Sequence, residues 1–201
     1  MQLKEVSKKV WRYLNKDSWD SWLVSLVLIA IIIKFIFFPA LALVTGSPLP
    51  LVVVESCSMY HESNFEDWWS KNANWYETRN ITKEEFLNFQ YKNGINKGDI
   101  FLVLGKKSYK EGDIIIFKPN KNSTSPNPLI HRLIQTSPYG TKGDHNSDQL
   151  TGNNNGLKTD ERSIQDENVI GKVSLRIPFV GWAKLIFFEP LRQPQDRGFC
   201  K

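Results

Sequence analysis

The chain has 201 residues, of which 41% are hydrophobic and 23% are charged, and its formal net charge is +5 at pH 7. Outside the segments next to the apolar stretch described below and the C-terminal tail, Lys and Arg form no stripe interleaved with aromatic residues. A nucleic-acid-binding surface is therefore not expected. The positive charge fits a protein at a membrane surface better.

The first long element is an apolar stretch from Trp22 to about Val44. At a rise of about 1.5 Å per residue, a helix of this length crosses the roughly 30 Å hydrocarbon core of a bilayer. The stretch is longer than the apolar part of a cleaved signal peptide and leads directly into a predicted strand, which favours a retained anchor. Lys34 inside it is expected to snorkel to the interface, and a partner subunit or a deep kink is the alternative. Pro39 predicts a kink near the exit side.

The two flanks of this stretch differ in charge. Residues 1–18 hold five basic residues, whereas residues 46–70 hold four acidic residues and no Lys or Arg. The positive-inside rule predicts an N-terminus in the cytoplasm and the rest of the chain outside. The expected location is the cell membrane, which the chain would cross once. The predicted order is a cytoplasmic segment (1–21), a transmembrane anchor (22–45), one extracytoplasmic domain (46–188) and a loosely ordered tail (189–201).

The extracytoplasmic segment is predicted to be mainly β. Apolar runs of strand length occur at 51–54, 100–104, 114–117, 129–134 and 169–177, and two of them follow Gly-Asp pairs typical of tight turns.

Residues 60–93 differ in composition from the rest of this segment and are rich in Trp, Tyr and Phe. A capping box at Thr82-Lys83-Glu84-Glu85 predicts the start of a short helix there. We interpret this segment as an inserted, partly helical flap whose aromatic residues form a local core. Contact with lipid headgroups or with a substrate is the alternative.

A candidate nucleophile follows the first predicted strand, in the sequence Ser56-Cys57-Ser58-Met59. Two Ser residues after a strand are also what an ordinary turn contains. A disulfide at Cys57 would lie between the two Ser residues and obstruct them, so Cys57 and Cys200 are expected to be free thiols.

A Ser hydroxyl is a weak nucleophile at neutral pH and needs a base and a donor for the oxyanion. Among three His residues, His131 has the best context, because it lies on one face of the strand 129–134 with Arg132 on the other. A His in an apolar strand is more often structural. His61 is expected on the surface of the flap, and His145 competes as the base only through proximity.

The motif Lys142-Gly143-Asp144-His145-Asn146 follows the strand of His131. A His base needs an acceptor on its second ring nitrogen, which fixes the tautomer and stabilises the imidazolium. Asp144 and Asp148 are the candidates for this role. A polar turn in which Asp144 caps backbone amides is the simpler interpretation of this motif.

These motifs, in this order behind a membrane anchor, resemble the signal peptidase I family. The resemblance covers the anchor, the Ser box, the strands, the Lys-Gly-Asp box and a closing strand at 169–173, and it excludes 60–93 and the tail. A His before Arg132, where the bacterial relatives have Lys, is the form seen in archaeal and endoplasmic-reticulum members. The chain departs from that form where a further Asp is usual, since Gln149 and Leu150 stand there. Given this departure, Asp148 is favoured as the carboxylate that orients His131, Asp144 is second and Asp160 third.

The resemblance implies coiled antiparallel β-sheets and a serine endopeptidase that removes signal peptides at the outer face of the membrane. It implies Ser58 as nucleophile above Met59, His131 as general base, and Asp148 or Asp144 as the orienting carboxylate. The Ser56 hydroxyl and the Ser58 amide are the implied oxyanion donors.

No cofactor or metal is expected. The expected partners are signal-peptide-bearing preproteins with small residues before the cut, the lipid bilayer and the secretion translocon. The alternative from another class is a catalytically inactive membrane-anchored β-domain that acts as a binding or accessory subunit. Such a domain would have no reason to keep Ser58, His131 and an Asp together, and a Ser–Lys peptidase would need Lys in place of His131.

Overall fold

A computed structural model describes the chain except for residues 1, 107, 120–122, 124–126 and 153–157. The chain forms two compact units, Met1–Val44 and Thr45–Lys201.

The first unit is helical. It contains α1 (Gln2–Leu14) and the beginning of a long apolar helix, Trp19–Thr45, whose 27 residues are enough, by length and composition, to cross a membrane. The long helix consists of α2 (Trp19–Ile32), a π-helical turn (Ile33–Phe37) and α3 (Phe38–Thr45). The π turn surrounds Lys34 and precedes Pro39, which has no N–H for a helical hydrogen bond.

A tight turn separates α1 from α2. The hydroxyl of the buried Ser21 donates to the carbonyl oxygens of Tyr13 and Leu14, at 2.6 and 3.0 Å, and Tyr13 Oη donates to Asp20 at 2.9 Å. In one continuous helix, residues eight apart would be separated by about 12 Å along the axis. The two helices therefore do not share an axis.

Among its described residues, the second unit is built on one sheet of six strands in the order β1-β2-β6-β3-β4-β5, with every neighbouring pair antiparallel. The strands are β1 (Leu51–Val53), β2 (Ile100–Leu104), β3 (Ile114–Phe117), β4 (Leu129–Thr136), β5 (Tyr139–Lys142) and β6 (Val169–Ile177). This arrangement confirms the predicted mainly β, signal-peptidase-like fold. Strand β5 was not predicted, because Tyr-Gly-Thr-Lys offers no apolar run.

The inserted segment 60–93 contains α4 (Phe65–Glu77) and α5 (Lys83–Leu87). The capping box predicted at Thr82 and Glu85 is confirmed, with both reciprocal hydrogen bonds formed. The local-core interpretation is also confirmed, since the two helices bury a cluster against β4 that consists of Trp68, Trp69, Tyr76, Ile81, Phe86 and Ile134.

The C-terminal segment continues from β6 into α6 (Trp182–Phe188) and two 3₁₀ turns, Glu189–Leu191 and Pro194–Asp196. The prediction of free thiols is wrong, because Cys57 and Cys200 form a disulfide with their Cα atoms 5.6 Å apart. The bridge does not obstruct the neighbouring Ser residues, since Cys57 faces the tail and not the cleft that Ser56 and Ser58 line. The disulfide bonds the tail covalently to the turn after β1, whereas the sequence analysis predicted a loosely ordered tail.

Candidate active site

Ser58 lies on a turn that begins after β1. The preceding Val54 is held by the turn before β2, donating its N–H to the Asp99 carbonyl and accepting from the Gly98 N–H. The following Met59 is 1% exposed in the main core, and the Ser58 carbonyl accepts from the His145 N–H at 2.9 Å. The Ser58 side chain is therefore presented from a turn in which the next residue, Met59, is buried in the core.

His131 lies on β4, opposite Ile115 of β3, and is 2% exposed. Its Nε2 is 2.8 Å from the Oγ of Ser58, which is hydrogen-bond distance for transfer of the hydroxyl proton. The structure thus brings together the two residues that sequence reasoning singled out as nucleophile and base.

The carboxylate behind the imidazole belongs to Glu161, which is hydrogen-bonded to His131 Nδ1. Glu161 is fully buried, and its carboxylate also accepts from the hydroxyl of Thr141 on β5 and from the Leu150 N–H, at 2.9 and 2.7 Å. These donors fix the carboxylate in place behind the ring. The sequence analysis predicted an Asp, with Asp148 favoured, as the carboxylate bonded to His131. The structure has Glu161 in that place.

Neither Asp148 nor Asp160 is bonded to His131. The exposed Asp148 accepts from the indole N–H of Trp75 at 2.8 Å, and Asp160 pairs with Arg162 at 2.7 Å. Asp148 turns toward the insertion because it lies in the bend beyond Asp144. The longer Glu side chain one position after Asp160 reaches the ring instead.

Asp144, the second candidate, faces the other side of β4. Its carboxylate is fully buried and accepts from Arg132 Nη2 at 2.6 Å and Nε at 2.9 Å, with His61 Nε2 at 3.1 Å. Burial alone would raise the pKa of Asp144, but the Arg132 charge and the hydrogen bonds from His61 and Arg132 outweigh it and hold that pKa well below its ordinary value. The Asp144 carboxylate is therefore bonded to Arg132 and His61, whereas the carboxylate bonded to His131 is that of Glu161.

Arg132 links Asp144 to the inserted segment. Its guanidinium donates to the carbonyl oxygens of Gln90 and Tyr91, at 2.9 and 3.0 Å, and lies over the Phe86 ring. His61 is buried and stacked on Trp68, with ring centroids 3.7 Å apart, so the expectation of a surface residue is wrong. The aromatic core of the insertion hides the polar edge of His61 from water. His145, by contrast, is exposed.

Lys142 of the Lys-Gly-Asp motif is buried at the end of β5. Its Nζ donates to the Gly143 carbonyl at 3.1 Å and lies about 5 Å from the ring centroids of Trp75 and Tyr76. Burial lowers the pKa of Lys142 to about 8, although the charges of Asp144 and Glu161 oppose the shift.

Gly143 allows the close approach of the Lys-Gly-Asp motif to Ser58 and His131. A Cβ at this position would lie 2.9 Å from His131 Nε2 and 2.7 Å from the Ser58 carbonyl oxygen. This steric requirement is a site feature that sequence reasoning missed. The glycine between a strand and an acidic turn was the available signal.

A cleft of about 510 Å³ opens beside these residues, a volume in the range of small-ligand sites. Ser56, Ser58 and His131 line it, and Ser56 Oγ is 3.2 Å from Ser58 Oγ. The remaining walls are apolar near β1, β3 and β4 and charged at one end, and they include Leu51, Val53, Ile116, Leu129, Ile130, Glu55, Lys184 and Arg192.

A Ser, a His and a carboxylate joined by consecutive hydrogen bonds beside a cleft have the geometry of a serine hydrolase site. Within the described residues, no group of three or more His, Cys, Asp or Glu residues is arranged to hold a metal ion.

Comparison with known proteins supports a more specific class. None of the protein-family models searched matches the chain. The chain is 27% identical over 182 residues to the signal peptidase complex catalytic subunit SEC11 of Komagataella phaffii, an alignment that covers 83% of this chain and 84% of that protein. With the order of its motifs and its fold, this similarity supports the resemblance to the signal peptidase I family, of the endoplasmic-reticulum and archaeal type.

Proposed function

We propose that this protein is a membrane-anchored serine endopeptidase that cleaves signal peptides from exported preproteins. The observation that best supports the proposal is the row Ser58–His131–Glu161 beside an open cleft. The relative's name as a signal peptidase complex catalytic subunit supports the choice of substrate.

The proposed chemistry begins when His131 Nε2 takes the hydroxyl proton as Ser58 Oγ attacks the scissile carbonyl carbon. Glu161 accepts the hydrogen bond from His131 Nδ1–H, which keeps Nε2 free to take the proton and then stabilises the imidazolium. His131 returns the proton to the leaving amine as the acyl-enzyme forms. A water molecule, deprotonated by the same His131, then releases the acyl group and restores the Ser58 hydroxyl.

The negative charge that develops on the carbonyl oxygen needs donors. In this proposal the Ser58 N–H and the Ser56 hydroxyl supply them, because Ser56 Oγ lies 3.2 Å from the nucleophile and faces the cleft. Loss of one such donor typically costs about 2.7–4 kcal/mol of transition-state stabilisation.

The substrate is proposed to be an extended peptide leaving the bilayer at the outer membrane face. Only the five residues 46–50 separate the end of the apolar helix from β1, and this short connection limits how far the peptidase domain could lie from a membrane that the helix crosses. The apolar walls near Leu51, Ile116 and Leu129 suit an extended segment whose small side chains face the protein. The translocon that delivers such segments is the proposed neighbour.

The test is cleavage of a radiolabelled preprotein by the full-length protein in proteoliposomes. Ser58→Ala and His131→Ala should each abolish cleavage and leave the protein folded and membrane-bound, whereas Lys71→Ala, which breaks an exposed ion pair with Glu62, should cleave normally. Full activity in His131→Ala would exclude the Ser–His mechanism. An inert wild-type protein that stimulates another peptidase would instead favour the accessory-subunit alternative.

A further inference from the structure

The turn that carries the nucleophile is held from outside the sheet. The pairing of β1 with β2 ends at Val53 opposite Ile100, and the two residues that flank Ser56 are both held by the C-terminal tail. Cys57 is bonded to Cys200 through the disulfide. Glu55 is bonded to Arg192 at two points, its carbonyl oxygen to Nη1 and its carboxylate to Nη2, both at 2.9 Å.

The tail is itself anchored on the neighbouring turn. The Lys97 side chain, which is 1% exposed, donates to the Glu189 carboxylate and to the Asp196 carbonyl oxygen, at 3.0 and 2.6 Å. The Phe199 ring packs on Trp182, with centroids 4.5 Å apart. Lys97 precedes the Gly98–Asp99 turn that holds Val54, so the tail spans two turns that meet behind the nucleophile.

From these contacts we propose that residues 189–201 form a clamp that positions the nucleophile turn, with Arg192 and Cys200 as positioning residues. The inference rests on the proposed function and extends it to a part of the chain that lies outside the family motifs. A displacement of about 1 Å at a reacting atom can cost about 10²-fold in rate. The clamp therefore sets how often Ser58 Oγ stands at hydrogen-bond distance from His131.

Arg192 also lines the cleft, whereas Cys200 does not. A change at Cys200 that lowers turnover thus acts through the turn and not through contact with the bound peptide. Reduction by a dithiol offers the same test without mutation, because the dithiol is oxidised to a disulfide as Cys57 and Cys200 become two thiols.

The kinetic experiment measures kcat and KM for a signal-peptide substrate in detergent-solubilised full-length protein. Cys200→Ser should lower kcat by at least about tenfold with KM changed less than about twofold. Arg192→Ala should lower kcat similarly, and Arg192→Lys should recover part of it, since Lys retains the charge but not the two-point contact. Dithiothreitol should lower kcat of the wild type and should not change kcat of the double variant C57S/C200S. Without dithiothreitol, Lys71→Ala should have the kcat and KM of the wild type.

Hydrogen–deuterium exchange of the backbone amides of residues 55–60 supplies a readout that does not depend on activity. These amides should exchange faster in Cys200→Ser and in the reduced wild type, while β3 and β4 exchange as before. Unchanged exchange and unchanged kcat in Cys200→Ser would overturn the clamp. If the wild type cleaves nothing, the proposed function fails, and the exchange rates still decide whether the tail positions the turn.

Discussion

His131 on β4 and Glu161, 30 positions further along the chain, are joined through Nδ1 of the imidazole. The bond places a buried carboxylate on the side of the ring opposite Ser58. The identity of the residue that orients His131 can therefore be tested by replacing each candidate carboxylate with the amide of the same size.

Glu161→Gln should lower kcat by about 10³–10⁴-fold with little change in KM. The amide group of Gln can donate to Nδ1, which stabilises the tautomer that carries its proton on Nε2 and removes the base. The measurement is steady-state cleavage of a signal-peptide substrate. Asp148→Asn and Asp160→Asn are the controls and should retain nearly normal turnover. An inactive Asp148→Asn variant beside an active Glu161→Gln variant would assign the orienting role to Asp148 and contradict the prediction.

Asp144→Ala should destabilise the folded protein by about 3–5 kcal/mol, because it leaves the fully buried Arg132 guanidinium without its carboxylate. Denaturant unfolding in detergent, followed by tryptophan fluorescence, measures the loss. Asp160→Ala breaks an ion pair whose Arg162 side chain is 61% exposed and should cost no more than about 1 kcal/mol. Equal losses in the two variants would contradict a structural brace at Asp144.

Because the pKa of Lys142 is lowered in the folded protein, we expect the free energy of unfolding to increase at alkaline pH. Its pKa falls from 10.5 to about 8 in the folded protein, so below pH 8 folding keeps a positive charge buried at a cost. Between pH 8 and about 10.5 the folded form has lost this proton while the unfolded chain still holds it, and stability rises with pH. The free energy of unfolding of wild type relative to Lys142→Met should increase by up to about 3 kcal/mol across this window. The exposed Lys71→Met is the matched control, and a flat difference for Lys142→Met would refute the prediction.

The charge asymmetry around the anchor predicts the orientation of the chain. In sealed right-side-out vesicles, added protease should remove an epitope tag placed after Lys201 and leave a tag placed before Met1 intact. Detergent should make both tags sensitive. The reverse pattern would place the cleft on the wrong side of the membrane for the proposed substrate.

The sequence predicted the features that leave local patterns. Five strands appear as apolar runs, and the helix that begins at Lys83 is marked by its capping box. The Ser58–His131 pair followed from the order of the motifs. Glu161 did not, because its contact depends on how the chain folds back after Leu150, where the Glu161 N–H meets the Leu150 carbonyl.

The disulfide was missed for a related reason. Proximity in sequence suggested that a bridge at Cys57 would block Ser56 and Ser58, but neighbouring side chains on a turn can face opposite sides. Only the path of the tail, which returns Cys200 to the turn from 143 positions away, shows that the bridge lies on the far side.

That bridge closes most of the second unit into a covalent ring. Five of the six strands in the described part of the chain, together with Ser58, His131 and Glu161, lie between Cys57 and Cys200, whereas β1 and the apolar helix lie outside. A single peptide-bond cut anywhere inside the ring would leave both pieces tethered to each other and to the long apolar helix. The nicked protein would run as one species on a non-reducing gel and separate into fragments only after its thiols were freed.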